Sequence, residues 1–224
     1  MHKKLLIITV LFCSLTANAE NININNVEAN YNIFYKNTSA GTMTLTINDA
    51  NNQIIIRTTY DGNFLATLAG KGYRDEISYI SNVNNILKPN KYTYKDDKES
   101  YEIIFNDNNV EISNPKIIYE GVIYDPLYVL LTLMRNYPKV NNSYTVISKK
   151  NLKVYKYKYE DKKSIVINEK KYSGYSAEYA TGNKINYFFF SREHKNLMVY
   201  SSTKKNDKEK IRIELSKIKT LNGN

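Results

Sequence analysis

Residues 31–47 read YNIFYKNTSAGTMTLTI, and this stretch decides the fold class of the chain. Apolar and polar side chains alternate from Tyr31 to Tyr35 and again from Met43 to Ile47, which is the period of a strand with one buried face. The segment between them, Thr38 to Gly41, holds small residues and ends in glycine, as turns commonly do. The sequence therefore predicts a β-hairpin whose turn lies at residues 38–41.

Similar segments continue along the chain, and clusters of Asn, Asp and Gly separate them. Strands are predicted at Gln53–Tyr60, Phe64–Ala69, Tyr73–Ile80, Tyr101–Phe105, Lys116–Tyr119, Tyr144–Ile147, Lys153–Tyr159, Ser164–Ile167, Gly174–Ala180, Lys184–Phe190, Leu197–Thr203 and Ile211–Leu215. Short strands at this spacing are typical of a mainly β fold. We expect a curved antiparallel sheet that forms an open barrel or a sandwich.

One segment has the period of a helix. Asp125 is a suitable N-cap, and Pro126 suits the first helical position. The apolar residues that follow share one helical face: Leu127, Leu130, Leu131 and Met134. We expect one short helix packed across the sheet, with this apolar stripe serving either as plain core or as the lid of a ligand cavity.

The segment 187–190 is uninterrupted aromatic, Tyr-Phe-Phe-Phe, and does not alternate. Both faces of its strand should therefore be covered, one of them by the helix. The candidate ligand-binding residues are the helix stripe together with Tyr187, Phe188 and Phe189.

Residues 155–159 alternate Tyr and Lys strictly, which predicts a strand with three tyrosines on one face. The opposite face would be basic, with Lys153, Lys156 and Lys158 as its candidate binding residues. This pattern fits a half-buried strand with a solvated face, and it also fits a surface that meets lipid head groups or phosphate. Tyrosine interleaved with lysine also occurs on platforms for single-stranded nucleic acid. An exported protein would not meet that partner, so we predict no nucleic acid.

Export is predicted from the first 19 residues. Lys3 and Lys4 precede an apolar run, and Ala17-Asn18-Ala19 supplies the small residues that signal peptidase requires before Glu20. A membrane-spanning helix needs about 20 apolar residues, and this run is far shorter. We therefore expect a cleaved signal peptide, residues 1–19, and one periplasmic β-rich domain, residues 20–224.

The composition of the mature chain excludes several chemistries. Cleavage would remove Cys13 and His2, which leaves no cysteine and the single histidine His194. A thiol nucleophile, a disulfide framework and a Cys or multi-His metal site are then impossible. The sequence also has no Gly-x-Ser-x-Gly elbow and no phosphate-binding glycine loop. We therefore predict that the protein is not an enzyme and has no metal site and no cofactor.

The order of several segments resembles the exported domain-of-unknown-function family 3108. These segments are Ala40–Thr42, Leu87–Tyr92, Ile103–Phe105, the Asp125–Leu127 helix start with Met134 and Arg135, Tyr172–Ala177, Phe188–Ser191 and Ile213–Leu215. The resemblance implies a periplasmic β-rich protein without an established activity. More loosely, a curved sheet with a helix across it is similar to the periplasmic lipoprotein carriers of the Lol type.

Two functions fit these features. The first is a binding or carrier module whose partner is a lipid or another apolar small molecule of the envelope, held between the helix and the aromatic strand. The second is a non-enzymatic interaction or scaffold protein of the envelope, which docks a partner protein through strand edges and the basic face. The net charge of +10 makes an anionic membrane surface a further candidate partner.

Overall fold

The computed structural model describes residues 26–63, 72–113, 116–135 and 143–221. Their strands are β1 (Val27–Tyr35), β2 (Thr38–Ala50), β3 (Gln53–Gly62), β4 (Tyr73–Val83), β5 (Ile86–Asp96), β6 (Ser100–Phe105), β7 (Asn109–Ser113), β8 (Lys116–Glu120), β9 (Ser143–Ser148), β10 (Asn151–Lys156), β11 (Lys158–Ile167), β12 (Lys170–Thr181), β13 (Lys184–Ser191), β14 (Leu197–Lys205) and β15 (Lys208–Thr220). The helix α1 spans Pro126–Arg135, and a 3-10 turn spans Arg192–His194. The predicted signal peptide and the predicted strand Phe64–Ala69 lie outside the described residues.

Thirteen strands form one antiparallel sheet in the order β11-β12-β13-β14-β15-β1-β2-β3-β4-β5-β6-β7-β8. The sheet consists of two meanders, β1–β8 and β11–β15, which are joined where β1 pairs with β15. Strands β9 and β10 form a separate hairpin. The predicted mainly β fold with a short packed helix is confirmed, and the sheet does not close into a barrel.

The sheet must curl around α1. The helix contacts β3 and β4, and Tyr175 on β12 donates a hydrogen bond from its hydroxyl to the carbonyl oxygen of Leu133, 2.6 Å away. Strands β12 and β4 are seven steps apart in the sheet, which would be about 34 Å if the sheet were flat. A helix is only about 10–12 Å wide. Both strands reach it only because the sheet bends around it.

Two-residue turns connect many of the strands, and both turn residues have positive φ. Such pairs are Lys36–Asn37, Asn51–Asn52, Asn84–Asn85, Lys149–Lys150, Asn168–Glu169 and Asn206–Asp207. Positive φ at both positions defines the type I′ turn, whose twist matches that of the flanking strands. The predicted hairpin of β1 and β2 therefore exists, but its turn lies at Lys36–Asn37 rather than at residues 38–41.

Gly41 lies inside β2 and was misread as part of the turn. Its φ is +140°, and a Cβ atom there would overlap the β3 backbone, only 2.2 Å from the carbonyl oxygen of Asp61. The glycine is thus required by the close approach of two strands beside a bulge in the pairing of β1 and β2.

Three other strand predictions need correction. Strand β5 was missed, and so was β7, which lies between the predicted strands Tyr101–Phe105 and Lys116–Tyr119. The predicted strand Lys153–Tyr159 is wrong as a single strand, because β10 ends at Lys156 and β11 begins at Lys158. Tyr157 lies between them and is buried. The Tyr-Lys alternation survives this break, so the periodicity alone could not reveal it.

The core lies between α1 and the sheet face that carries Tyr31, Leu45, Ile56 and Ile103. The helix is buried on more than the predicted stripe. Leu131 and Met134 are fully buried, whereas Leu130 is only half-buried. Thr132 is buried and donates a hydrogen bond to the carbonyl oxygen of Tyr128 at 2.9 Å.

At its C-terminal end, α1 is tied to β2 by an ion pair. Nη2 of Arg135 lies 2.7 Å from Oδ2 of Asp49, and both side chains are largely buried. Across the described residues, no helix is long and apolar enough to cross a membrane.

Candidate functional site

A cavity of about 240 Å³ lies between the sheet and the first turns of α1. Strands β3 to β6 form one wall, and β12 and β13 contribute to the opposite side. The hairpin of β9 and β10 and the helix complete the lining. Because the walls come from both meanders, the cavity exists only when the sheet is curled.

One wall carries a charged pair. Arg74 and Glu76 are two residues apart on β4, so their side chains lie on the same face of the sheet. Nε of Arg74 lies 2.9 Å from Oε1 of Glu76, an ion pair whose angle is too poor for a hydrogen bond. The guanidinium carbon lies 3.7 Å from the ring centre of Tyr60, which is the partner of Arg74 in the pairing of β3 and β4.

Aromatic rings cover most of the remaining wall. Tyr94 and Tyr101 face each other on β5 and β6 and stack with their ring centres 4.9 Å apart. On the opposite side, Tyr179 contacts Tyr155 at 4.3 Å, Tyr157 at 5.0 Å and Phe188 at 6.1 Å. Contacts at these distances stabilise the ring positions beyond simple burial. The cavity walls are therefore largely preformed.

The tyrosine hydroxyls of this wall stay protonated at neutral pH. Burial raises the pKa of Tyr92 and of Tyr157 well above the ordinary value. Burial also raises the pKa of Tyr94, and its hydrogen bond to Asp96 adds to the effect. These hydroxyls can therefore donate hydrogen bonds as well as accept them.

The helix begins at the edge of the cavity, and Asp125 caps it. Its Oδ1 accepts hydrogen bonds from the backbone N–H groups of Leu127 and Tyr128 at 2.9 and 2.8 Å, and its Oδ2 accepts one from Oγ of Ser78 at 2.9 Å. The side chain is fully buried. Burial raises the pKa of Asp125 to about 7, although these three hydrogen bonds act in the opposite direction.

The structure brings some of the predicted ligand-binding residues together. Leu127, Leu130 and Phe188 line the cavity. Leu131, Met134 and Phe189 are fully buried and do not line it. Tyr187 lies on the face of β13 opposite to Phe188, and its ring meets that of Tyr200 edge-on at 6.1 Å.

The predicted basic face lies on two elements rather than one strand. Lys153 and Lys156 belong to β10, Lys158 begins β11, and all three side chains are exposed. Lys149, in the turn before β10, is exposed and also lines the cavity. The cavity mouth and the lysine-rich segment are therefore neighbours.

Sequence reasoning missed the residues that give this cavity its polar wall. Arg74 and Glu76 lie in the predicted strand Tyr73–Ile80 but were not named as candidate site residues, and Tyr92 and Tyr94 lie in β5, which was not predicted. The usable signal was the spacing of two residues in both pairs, which places each pair on one face of a strand. Which face points inward follows only from the pairing of β3, β4 and β5.

The described residues hold no group of three or more His, Asp or Glu side chains close enough to bind a metal ion. No model of a known protein family matches the chain, and no curated protein matches it. The resemblance to family 3108 therefore stays a prediction. The functional argument depends on the geometry of the cavity and on the charge of its surroundings.

Proposed function

We propose that this protein is a periplasmic binding or carrier module that holds an apolar or lipidic envelope molecule in the cavity beside α1. The observation that carries the proposal is the lining, in which rings from both meanders face leucine side chains of the helix. Small-molecule sites are usually concave and mostly apolar, with a few polar groups that orient the ligand. Arg74 and Glu76 are the polar groups of this site.

The size of the cavity suits a short chain or the end of a longer one. A cavity of about 150 Å³ lined by apolar side chains stays dry and binds benzene. The 240 Å³ of this cavity would by the same ratio hold a fragment of about ten non-hydrogen atoms. An acyl chain segment has this volume and the right polarity.

A ligand could enter beside the helix. Leu130, Tyr155, Tyr179 and Phe188 line the cavity and are only half-buried, so part of its wall is reached by solvent. These side chains lie where α1, β10 and β12–β13 meet. A chain bound there would cover them, and that burial would contribute favourable free energy.

The test is native mass spectrometry of protein purified from its own envelope. We expect a co-purified apolar passenger on the natural protein and a much smaller passenger load on Leu130→Trp, because the larger ring would fill the cavity from its half-buried edge. Val166→Trp is the control, since Val166 is exposed on β11 and does not line the cavity. An empty natural protein that also fails to bind added acyl chains would contradict the proposal.

Export underlies this proposal and has its own measurement. The motif before Glu20 supports a periplasmic location. Mass spectrometry of the native protein should find a mature chain that begins at Glu20. An intact N-terminus on the native protein would count against export by signal peptidase.

A second candidate function is docking to an anionic surface of the envelope. Residues 149–171 contain nine lysines and three acidic residues, so most of the net charge of +10 lies in this short part of the chain. Val154 and Val166 are 59% and 68% exposed among these lysines. An exposed aliphatic residue flanked by lysines suits the surface of an anionic bilayer.

Vesicle sedimentation distinguishes docking to an anionic membrane from a basic surface that contacts only solvent. We expect binding to phosphatidylglycerol vesicles that weakens when Lys153, Lys156 and Lys158 are changed to Gln, and no binding to phosphatidylcholine. Replacing Lys204, Lys205 and Lys208 with Gln removes the same charge at the turn between β14 and β15 and serves as the control. Equal loss in both triple variants would mean that net charge alone drives binding.

A further inference from the structure

We infer that the ligand of this cavity is an amphiphile with a single carboxylate head group, and that Arg74 binds the head. The inference rests on the proposed function, because it specifies the ligand of the same cavity. It follows from the charges of the lining, from the geometry of Arg74 and from the position of Phe188 and Tyr179 in the other meander.

The charged side chains that line the cavity are Arg74, Glu76 and Lys149. Together they carry one net positive charge, which matches one negative charge on a ligand. Asp125 lies close by, but its two oxygens already accept three hydrogen bonds from the helix start and from Ser78. A ligand with a positive head would meet the net positive charge of this lining.

Arg74 is held in a position from which it can bind a carboxylate. The ring of Tyr60 stacks against the guanidinium, and the ion pair to Glu76 uses Nε. The two terminal nitrogens carry the other four N–H donors of the guanidinium. This planar set binds a carboxylate through two parallel hydrogen bonds, and a guanidinium fixed in advance loses less entropy in doing so.

The apolar part of the ligand has a separate wall. Arg74 lies on β4, whereas Phe188 and Tyr179 lie on β13 and β12, in the other meander. The leucines of α1 lie between these two walls. A head group at Arg74 would therefore direct its chain along the helix toward the aromatic side, which is the arrangement an amphiphile requires.

The experiment compares three ligands that share one chain and differ in the head: octanoate, 1-octanol and octylammonium. Calorimetric titration at pH 8 into delipidated protein keeps the carboxylate ionised and Arg74 charged. We expect octanoate to bind about 10- to 100-fold more tightly than 1-octanol, because hydrogen bonds between charged groups contribute more free energy than hydrogen bonds to a neutral hydroxyl. Octylammonium should bind most weakly.

The matched variants keep charge balance and shape. In Arg74→Gln/Glu76→Gln both charges disappear together, so no unpaired buried carboxylate remains, and the preference for octanoate should vanish while 1-octanol binding is retained. Arg57→Gln/Asp75→Asn is the control, because this pair also involves β4, joining it to β3 at 2.8 Å, but lies on the opposite face of the sheet. It should leave the preference intact.

Each outcome separates the two proposals. Equal affinities for octanoate and 1-octanol would overturn the carboxylate inference and leave the apolar cavity standing. A preference that survives in Arg74→Gln/Glu76→Gln would overturn the assignment to Arg74. If none of the three ligands binds the natural protein, both the head-group inference and the proposed function fail.

Discussion

Asp125 is a side chain whose ionisation is linked to folding in the acid range. It is fully buried, and its pKa of about 7 exceeds the ordinary value of 3.8 because burial disfavours the carboxylate. Between these two pH values, the folded protein keeps a proton that the unfolded chain has lost. The stabilising contribution of Asp125 is therefore fully present below about pH 4 and is lost as the pH rises to about 7.

We expect Asp125→Asn to remove this dependence. The Asn side-chain oxygen still accepts from the N–H groups of Leu127 and Tyr128, so the cap is kept. Relative to the variant, the natural protein should lose up to about 4 kcal/mol of unfolding free energy between pH 4 and pH 7. Urea unfolding of both proteins across this range measures the difference, and parallel curves would contradict the buried, protonated carboxyl.

Individual residues differ in how far the sequence could predict them. Asp125 and Pro126 form a local signal, since a cap acts on the residues that follow it, and the cap was predicted correctly. Arg74 depends on Tyr60 across the sheet and on Glu76 along the strand. Alternation places a residue on a face but does not identify its partner on the neighbouring strand. The polar wall of the cavity could therefore not be predicted from the sequence.

The helix α1 combines two roles along ten residues. Leu131 is fully buried against the sheet, whereas Leu130 lines the cavity and is half-buried. We expect Leu131→Ala to lower the free energy of unfolding by about 2–5 kcal/mol, because it leaves a void in a packed core. Leu130→Ala should cost well under half as much. Denaturant unfolding of the two variants gives the comparison.

The amount of bound passenger provides a second comparison of these two variants. Leu130→Ala widens the cavity and should alter passenger load, whereas Leu131→Ala should alter stability with little effect on the load of the folded fraction. Equal destabilisation by both substitutions would mean that Leu130 also belongs to the packed core, against the position described for it.

Turns explain why strand boundaries were less predictable than strands. Asn84–Asn85 and Asn206–Asp207 have the residue types that favour positive φ. Lys36–Asn37 and Lys149–Lys150 adopt the same turn although lysine carries no such preference. In these hairpins the strands impose the turn. At Tyr157 the sequence pattern continues as if there were one strand, but the strand is interrupted there and the ring is buried.

The whole molecule should unfold in alkali through its tyrosines. Burial raises the pKa of Tyr31, Tyr92 and Tyr157 above the ordinary value of 10. Above pH 10 the unfolded chain loses these protons while the folded protein retains them, so stability falls as the pH rises. We expect phenolate absorbance and loss of circular dichroism to change together in one transition.

Tyr157→Phe provides the check on this explanation. The variant keeps the ring contacts but has no proton to lose, so its alkaline transition should move to higher pH. Gradual phenolate formation in a protein that remains folded would contradict the burial of these hydroxyls.

The class of the fold was predictable because short alternating segments recur along almost the entire chain. The strand order was not, since nothing local in β1 or β15 indicates that they pair. The cavity depends on that pairing, because Arg74 and Phe188 come from different meanders that meet only when the sheet curls. Local sequence patterns therefore predicted many of the strands and the helix, but not the cavity between them.

The pairing of β1 with β15 has a consequence for folding kinetics. Within each meander, strands that are neighbours in sequence pair with each other, whereas Val27 and Thr220 become partners only when the two ends of the described chain meet. Contacts so distant in sequence form slowly. Ala29→Gly on β1 should therefore accelerate unfolding and leave the folding rate nearly unchanged, whereas Ile80→Val on β4 should slow folding.

Until the two meanders join, β1 and β15 each have one unpaired edge. A chain that stops folding at this stage is therefore most prone to aggregate through these edges.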